Sequence, residues 1–158
     1  MTHSLNQLIA VLREELQHYG EMLALLDRQG EYLAARSVSE VFESMNLVKA
    51  QGLALAQTRQ RREELREMVA RDWGQPGDTT LATLIPMAPP AYQPLLSALL
   101  EENNELLSRV RKQARHNHSV LRRSEELMQE LVNSLLSSRQ GVSSEVAESL
   151  LFRSPLAV

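Results

Sequence analysis

Apolar residues recur near the start of the chain at alternating steps of four and three: Leu5, Ile9, Leu12, Leu16, Tyr19, Leu23 and Leu26. A stripe with a mean spacing of 3.5 residues stays in water unless another helix covers it. A second series of the same spacing runs Tyr92, Leu96, Leu99, Asn103, Leu106, Val110, Ala114, Asn117, Leu121, Ser124, Met128, Leu131 and Leu135. A chain built on two such stripes is expected to fold as long helices lying side by side. Helical rods offer few pockets where polar groups converge, and this argues against an enzyme.

The rest of the sequence agrees with an all-α fold. Aromatic residues are only 4% of the chain, so leucine must supply most of the buried area. Four of the six prolines (Pro76, Pro86, Pro89, Pro90) and two of the six glycines (Gly74, Gly77) fall in one stretch, which leaves the remainder nearly free of helix breakers. The pattern predicts helices over about 4–35, 38–71 and 91–138, joined by a linker at 72–90 that holds a short helix. Together they are expected to form a single domain, 1–138, an elongated antiparallel helical bundle or coiled coil of three long helices. Residues 139–158 read as a loose, amphipathic C-terminal tail.

Local signals sharpen this outline. Ser4 is placed to cap the first helix, and Ser37 with Glu40 reads as a capping box for the second. Val38, Val41, Met45, Val48 and Leu55 continue the seam spacing in the second helix. Charge then invades it between Arg59 and Arg66, so that part of the helix is expected to be more exposed. Asp78 or Thr79 is expected to cap the short helix, and Trp73 to cover the end of the bundle. Asn103 and Asn117 sit on the third seam two heptads apart. Polar residues there cost stability but fix register, so both are read as register-setting; the alternative is a seam that drifts and leaves both half exposed.

Charge and composition exclude several functions. The net charge is −3, and the residues up to 70 and those after it carry nearly balanced charge. Neither half is basic enough to argue for nucleic acid. With no cysteine, disulfides and thiolate metal sites are out of reach. The N-terminus shows no basic region followed by an apolar run, and no stretch of 18 apolar residues is present, so a cytoplasmic protein without stable membrane insertion is expected.

Three clusters could carry chemistry. Glu15 and His18 have the Glu-x-x-His spacing of di-iron bundles, but such sites need a second copy and two more inward glutamates. Leu16 on the seam also places both residues on its flank, in solvent. Glu101, Glu102 and Glu105 read as a solvated outer face. Arg109, Arg111, Lys112, Arg115, Arg122 and Arg123, with His116 and His118 among them, form a basic stretch. It lacks the interleaved aromatics of a base-stacking surface and is bracketed by glutamates. Pairing with an acidic helix of the same bundle is therefore expected. No phosphate loop, nucleophile elbow or zinc-protease motif is present. No catalytic residue, metal or cofactor is expected.

One family resemblance follows from particular residues. The leucine-rich first helix ends in Leu25-Leu26-Asp27 and Tyr32-Leu33, with a break at Arg36-Ser37 and a second helix bearing Lys49. The third helix carries Leu99-Leu100-Glu101-Glu102-Asn103-Asn104-Glu105-Leu106-Leu107, and a mildly apolar tail follows. Over essentially its whole length this resembles the FlgN family of flagellar export chaperones. The resemblance implies a cytoplasmic chaperone that uses no ATP and serves the flagellar type III secretion system. Its clients would be hook-associated proteins of the hook–filament junction, held by their helical segments, kept from premature assembly and delivered to the export gate and ATPase-complex components. Carried over from the family, client binding maps to Met128, Leu131, Leu135 and Leu136, then to Val146, Leu150, Leu151 and Phe152. The late tyrosine linked to gate docking in the family has no counterpart, because no tyrosine lies beyond Tyr92. A structural coiled-coil adaptor or homodimer without a secretion client is the alternative.

Overall fold

The computed structural model describes residues 2–138. Three long helices dominate it: α1 (Thr2–Ala34), α2 (Val38–Asp72) and α4 (Gln93–Ser138). Between α2 and α4 lie a one-turn helix, α3 (Leu81–Leu84), and a 3-10 turn over Ile85–Met87. No strand occurs among the described residues.

Helix α1 is the shared partner, with α2 and α4 both packed along it. α1 and α2 run antiparallel: Ser4 near the start of α1 donates to Asp72 at the end of α2, and Gln51 reaches His18 further along. α4 runs parallel to α1. Asn103 Nδ2 donates to the Leu12 carbonyl and Asn117 Nδ2 to the Leu26 carbonyl, each a separation of 91 residues. Two contacts two heptads apart with one offset define a single straight register.

The buried rows differ from the sequence expectation. On α1 the continuous buried row is Leu5, Leu8, Leu12, Glu15, Tyr19, Met22, Leu26 and Gln29, alternating steps of three and four, with Ser4, Ile9 and Val11 buried beside it in the first turns. Leu16 and Leu23, expected on the seam, are half-buried at its edge, and Glu15 is fully buried rather than flanking. A helix with partners on two sides buries a band wider than one seam, and the band's centre moves toward the gap between the partners. On α2, Val41, Val48 and Leu55 face inward as expected, but Val38 is exposed and Ser44 and Thr58 take inward positions.

The core falls into two blocks. One joins Leu5, Leu8 and Leu12 of α1 to Val69 and Ala70 of α2, Leu84, Ile85 and Ala88 of the linker, and Leu96 and Leu99 of α4. Trp73 packs on this block, over the end of the molecule where the linker crosses. The second joins Tyr19, Met22 and Leu26 to Val48, Leu55 and Val110. Each fully buried leucine contributes about 1.5–3 kcal/mol by leaving water.

Local chemistry fixes the breaks. α1 ends where Arg36 takes a left-handed conformation (φ 56°), with Ser37 N–H bonding the Tyr32 carbonyl and Arg36 N–H the Leu33 carbonyl. α2 ends in the same motif at Gly74 (φ 68°), with Gln75 N–H on the Ala70 carbonyl and Gly74 N–H on the Arg71 carbonyl. Glycine holds this conformation without strain; arginine does not.

Three expected caps are replaced. Ser4 lies inside α1 and its hydroxyl binds Asp72. Ser37 precedes α2 without a side-chain capping bond, so the box with Glu40 does not form. Thr80, not Asp78 or Thr79, caps α3 by accepting from Thr83 N–H. Arg66 secures the linker: its guanidinium donates to the Gly77 and Thr79 carbonyls and pairs with Glu63.

Candidate functional site

Two features of the rod stand out chemically: an apolar ridge at one end and a polar node at mid-length. The ridge follows from helix lengths. With an offset of 91, Ala34 at the end of α1 stands level with Glu125 of α4. α4 continues to Ser138, so residues 126–138, about 20 Å of helix, run past the level where α1 ends. Past this level several seam residues of α4 are open to solvent. Ser124 and Met128 are exposed, Leu131 is 55% exposed and Leu135 48%.

Of the residues expected to hold a client, Met128, Leu131 and Leu135 are therefore exposed together on one helix, and Leu136 is half-buried beside them. Val146, Leu150, Leu151 and Phe152 lie outside the described residues. Leu127, 57% exposed, belongs to the same ridge and was missed by sequence reasoning, which followed the seam and skipped its neighbours. Its nearness to Met128 was the available signal. Val132, one turn beyond Met128 and bordering the same row, is buried, so the ridge is one face of α4 rather than its whole circumference.

The polar node sits between the two core blocks. The Glu15 carboxylate, with no exposed surface, accepts from Arg62 Nη1 at 2.8 and 3.1 Å and from the Tyr19 hydroxyl at 2.8 Å. Burial, with the bond to Glu15, pushes the Tyr19 phenol well above its ordinary pKa. Arg62 is only 23% exposed and also reaches Glu63 at 2.9 Å. The charged stretch of α2 thus turns partly inward, against the expectation of an exposed segment. Next to this node Asn103 is buried, its amide nitrogen on the Leu12 and Leu99 carbonyls and its Oδ1 without a partner among the described residues.

The metal reading of Glu15 and His18 gains no support from this arrangement. Both Glu15 oxygens are taken by Arg62 and Tyr19, while His18 faces Gln51, Glu14 and Glu21. No group of three or more metal-ligating side chains gathers among the described residues. A cleft of about 510 Å³ opens beside His18, lined by Glu14, Gln57, Arg61 and Glu64. The Arg61 guanidinium holds the Glu14 carboxyl below its usual range, a surface ion pair rather than a poised acid.

Asn117 makes the second polar crossing. Its amide nitrogen donates to the Leu26 carbonyl and Gln29 Oε1, and its Oδ1 accepts from Gln113. Gly30 makes room for it: a Cβ there would stand 3.1 Å from Asn117 Oδ1 and 3.2 Å from Gln113 Nε2. The basic stretch is arranged differently from expectation. Arg109, Arg111, Lys112, Arg115, Arg122 and Arg123 are all exposed, and among the described residues no acidic helix neutralises them. Among the described residues the stretch makes one ion pair, Arg122 to Glu126 at 4.0 Å on its own helix.

A family model described as FlgN protein matches residues 1–145. The chain belongs to the FlgN family. That family is one of flagellar export chaperones, so the membership carries a flagellar export chaperone role. No match is found among curated proteins or solved structures. No helix among the described residues is long and apolar enough to cross a membrane.

Proposed function

We propose that this FlgN protein is a cytoplasmic chaperone that binds helical segments of hook-associated proteins of the hook–filament junction. In this reading it prevents their premature assembly and delivers them to the export gate and ATPase-complex components of the flagellar type III apparatus. One observation carries the proposal: α4 runs past α1 with Leu127, Leu131 and Leu135 about half exposed on one face. A client helix laid along this ridge buries them in the manner of helix-in-groove recognition. Burying the exposed parts of these three leucines and of Met128 contributes roughly 3–6 kcal/mol before ordering costs. The segment beyond Ser138 adds Val146, Leu150, Leu151 and Phe152 to the same client surface.

Residues 1–138 act as one domain in this reading. Asn103 and Asn117 set the register of α4 on α1, because any slip strands a buried amide away from its carbonyl. The register in turn fixes how much of α4 stands clear.

The test is Leu127→Ser/Leu131→Ser in the full chain, titrated calorimetrically with a purified junction protein. Affinity should fall at least tenfold while helicity stays unchanged, since both residues are exposed. Undiminished binding would remove the ridge from the client site. A protein that forms an obligate homodimer indifferent to junction proteins would favour the adaptor alternative instead.

A further inference from the structure

A second surface lies on α4 away from the client ridge. Between Leu106 and Ser124 the sequence contains no Asp or Glu, yet it holds six Arg or Lys residues and two histidines. In the structure every one of these side chains is exposed. They fall in two rows. Arg109, Lys112, His116 and Arg123 follow steps of three, four and seven; Arg111, Arg115, His118 and Arg122 follow steps of four, three and four. Both rows therefore run nearly straight along the helix, on the side away from buried Val110 and Asn117. From Arg109 to Arg123 they span about 21 Å.

Like charges at these spacings repel one another, and an isolated helix is weakened by them. Elsewhere the molecule intersperses its charges: Glu63 sits between Arg62 and Arg66, and Arg71 pairs with Glu67. Among the described residues the basic face has no carboxylate counterion apart from Glu126, which pairs with Arg122 at its edge. Glutamates close the stretch at both ends, with Glu105 before it and Glu125 and Glu126 after it. The pattern along α4 is thus acidic, basic, acidic.

We propose that this face of α4 docks an acidic α-helix of a partner protein, whose carboxylates repeat at the same three-four spacing. Charge complementarity selects the partner, and the two straight rows select its shape. A bilayer surface fits less well: interfacial helices bury an apolar face, and the apolar side of α4 is already committed to α1. A nucleic acid fits less well too, because no aromatic side chain stands among the cations for base stacking. The flanking glutamates limit the docked length and repel a partner that is acidic throughout. The surface is separate from the ridge beyond Glu125, so a client and an acidic partner can be held at once.

The experiment uses the full chain and two synthetic helical peptides of identical composition. One carries glutamates in two rows at the three-four spacing, and the other spreads them around the helix. The row peptide should bind at low salt, weaken with added salt, and outcompete its scrambled counterpart. Arg111→Gln/Arg115→Gln/Arg122→Gln should weaken it about tenfold, the scale of three exposed ion pairs. Arg109→Gln/Lys112→Gln/Arg123→Gln should do the same through the other row. Far-UV circular dichroism and junction-protein binding should be unchanged in both variants. Equal binding of the two peptides, or undiminished binding by both variants, would overturn the proposal. So would preferential capture of phosphatidylglycerol vesicles or duplex DNA, or self-association of the chain abolished by the same substitutions.

Discussion

Removing Arg62 is expected to be among the most damaging substitutions in this protein, although it is a charged residue in a charged run. Glu15 is fully buried and depends on Arg62 for two of its three hydrogen bonds, the third coming from Tyr19. Arg62→Ala leaves a carboxylate sealed between two apolar blocks. Breaking a buried pair from one side costs about 3–5 kcal/mol, a large share of the roughly 5–15 kcal/mol that holds a domain together. The pair is not itself a large source of stability, because both ions gave up their hydration to form it. Replacing the whole node with apolar residues of similar volume, Glu15→Leu/Tyr19→Phe/Arg62→Met, should therefore be neutral or stabilising. Urea unfolding followed by circular dichroism would measure all of these. The expected pattern is a severe single variant and a benign triple variant, a coupling of at least about 2 kcal/mol. If Arg62→Ala costs less than about 1 kcal/mol, water reaches Glu15 and the core is not sealed at that level. If the triple variant is as unstable as Arg62→Ala, the node is worth more than the burial it displaces.

Two further outcomes follow from the same packing. Gly30→Ala should destabilise the fold by about 1 kcal/mol despite alanine's better helix propensity, because Asn117 is fixed by three partners and cannot retreat from the new Cβ; a gain in melting temperature would show that α4 moves aside freely. Stability should also decline in acid. The Glu14 carboxyl is held low by Arg61; Glu63 is held low by Arg66 and Arg62, although burial opposes them. The unfolded chain binds protons at these groups at higher pH than the folded one, so their contribution is complete above the ordinary carboxylate value, about 4.3. It is lost as the pH falls through the folded values. Urea midpoints compared at about pH 7 and about pH 3 should show the decline, shrinking in Glu14→Gln/Glu63→Gln; an identical decline in that variant would assign it to other groups.

The ridge was partly legible in the sequence, because Met128, Leu131 and Leu135 lie on a seam that can be followed residue by residue. That they stand clear of α1 was not legible, since it depends on the register between α1 and α4. The node was misread. Glu15 and His18 look like a flanking pair beside Leu16, and nothing local reveals that Arg62, 47 residues away, comes to meet Glu15. The basic stretch was read as half of an internal ion-pair set, and the structure leaves it facing outward.

Sequence alone determined that this chain is helical, roughly where its helices start and stop, and that Trp73 and the proline-rich linker close one end. Those features depend on spacing, on breakers and on neighbours within a turn or two. Tertiary structure decided which row of α1 turns inward, how far α4 outruns its partner and which charges find counterions. A leucine-rich helix carries apolar residues on several adjacent rows, so its own pattern fits more than one orientation. The choice falls to contacts between residues far apart in the chain, where burying a carboxylate against an arginine can outweigh one more leucine.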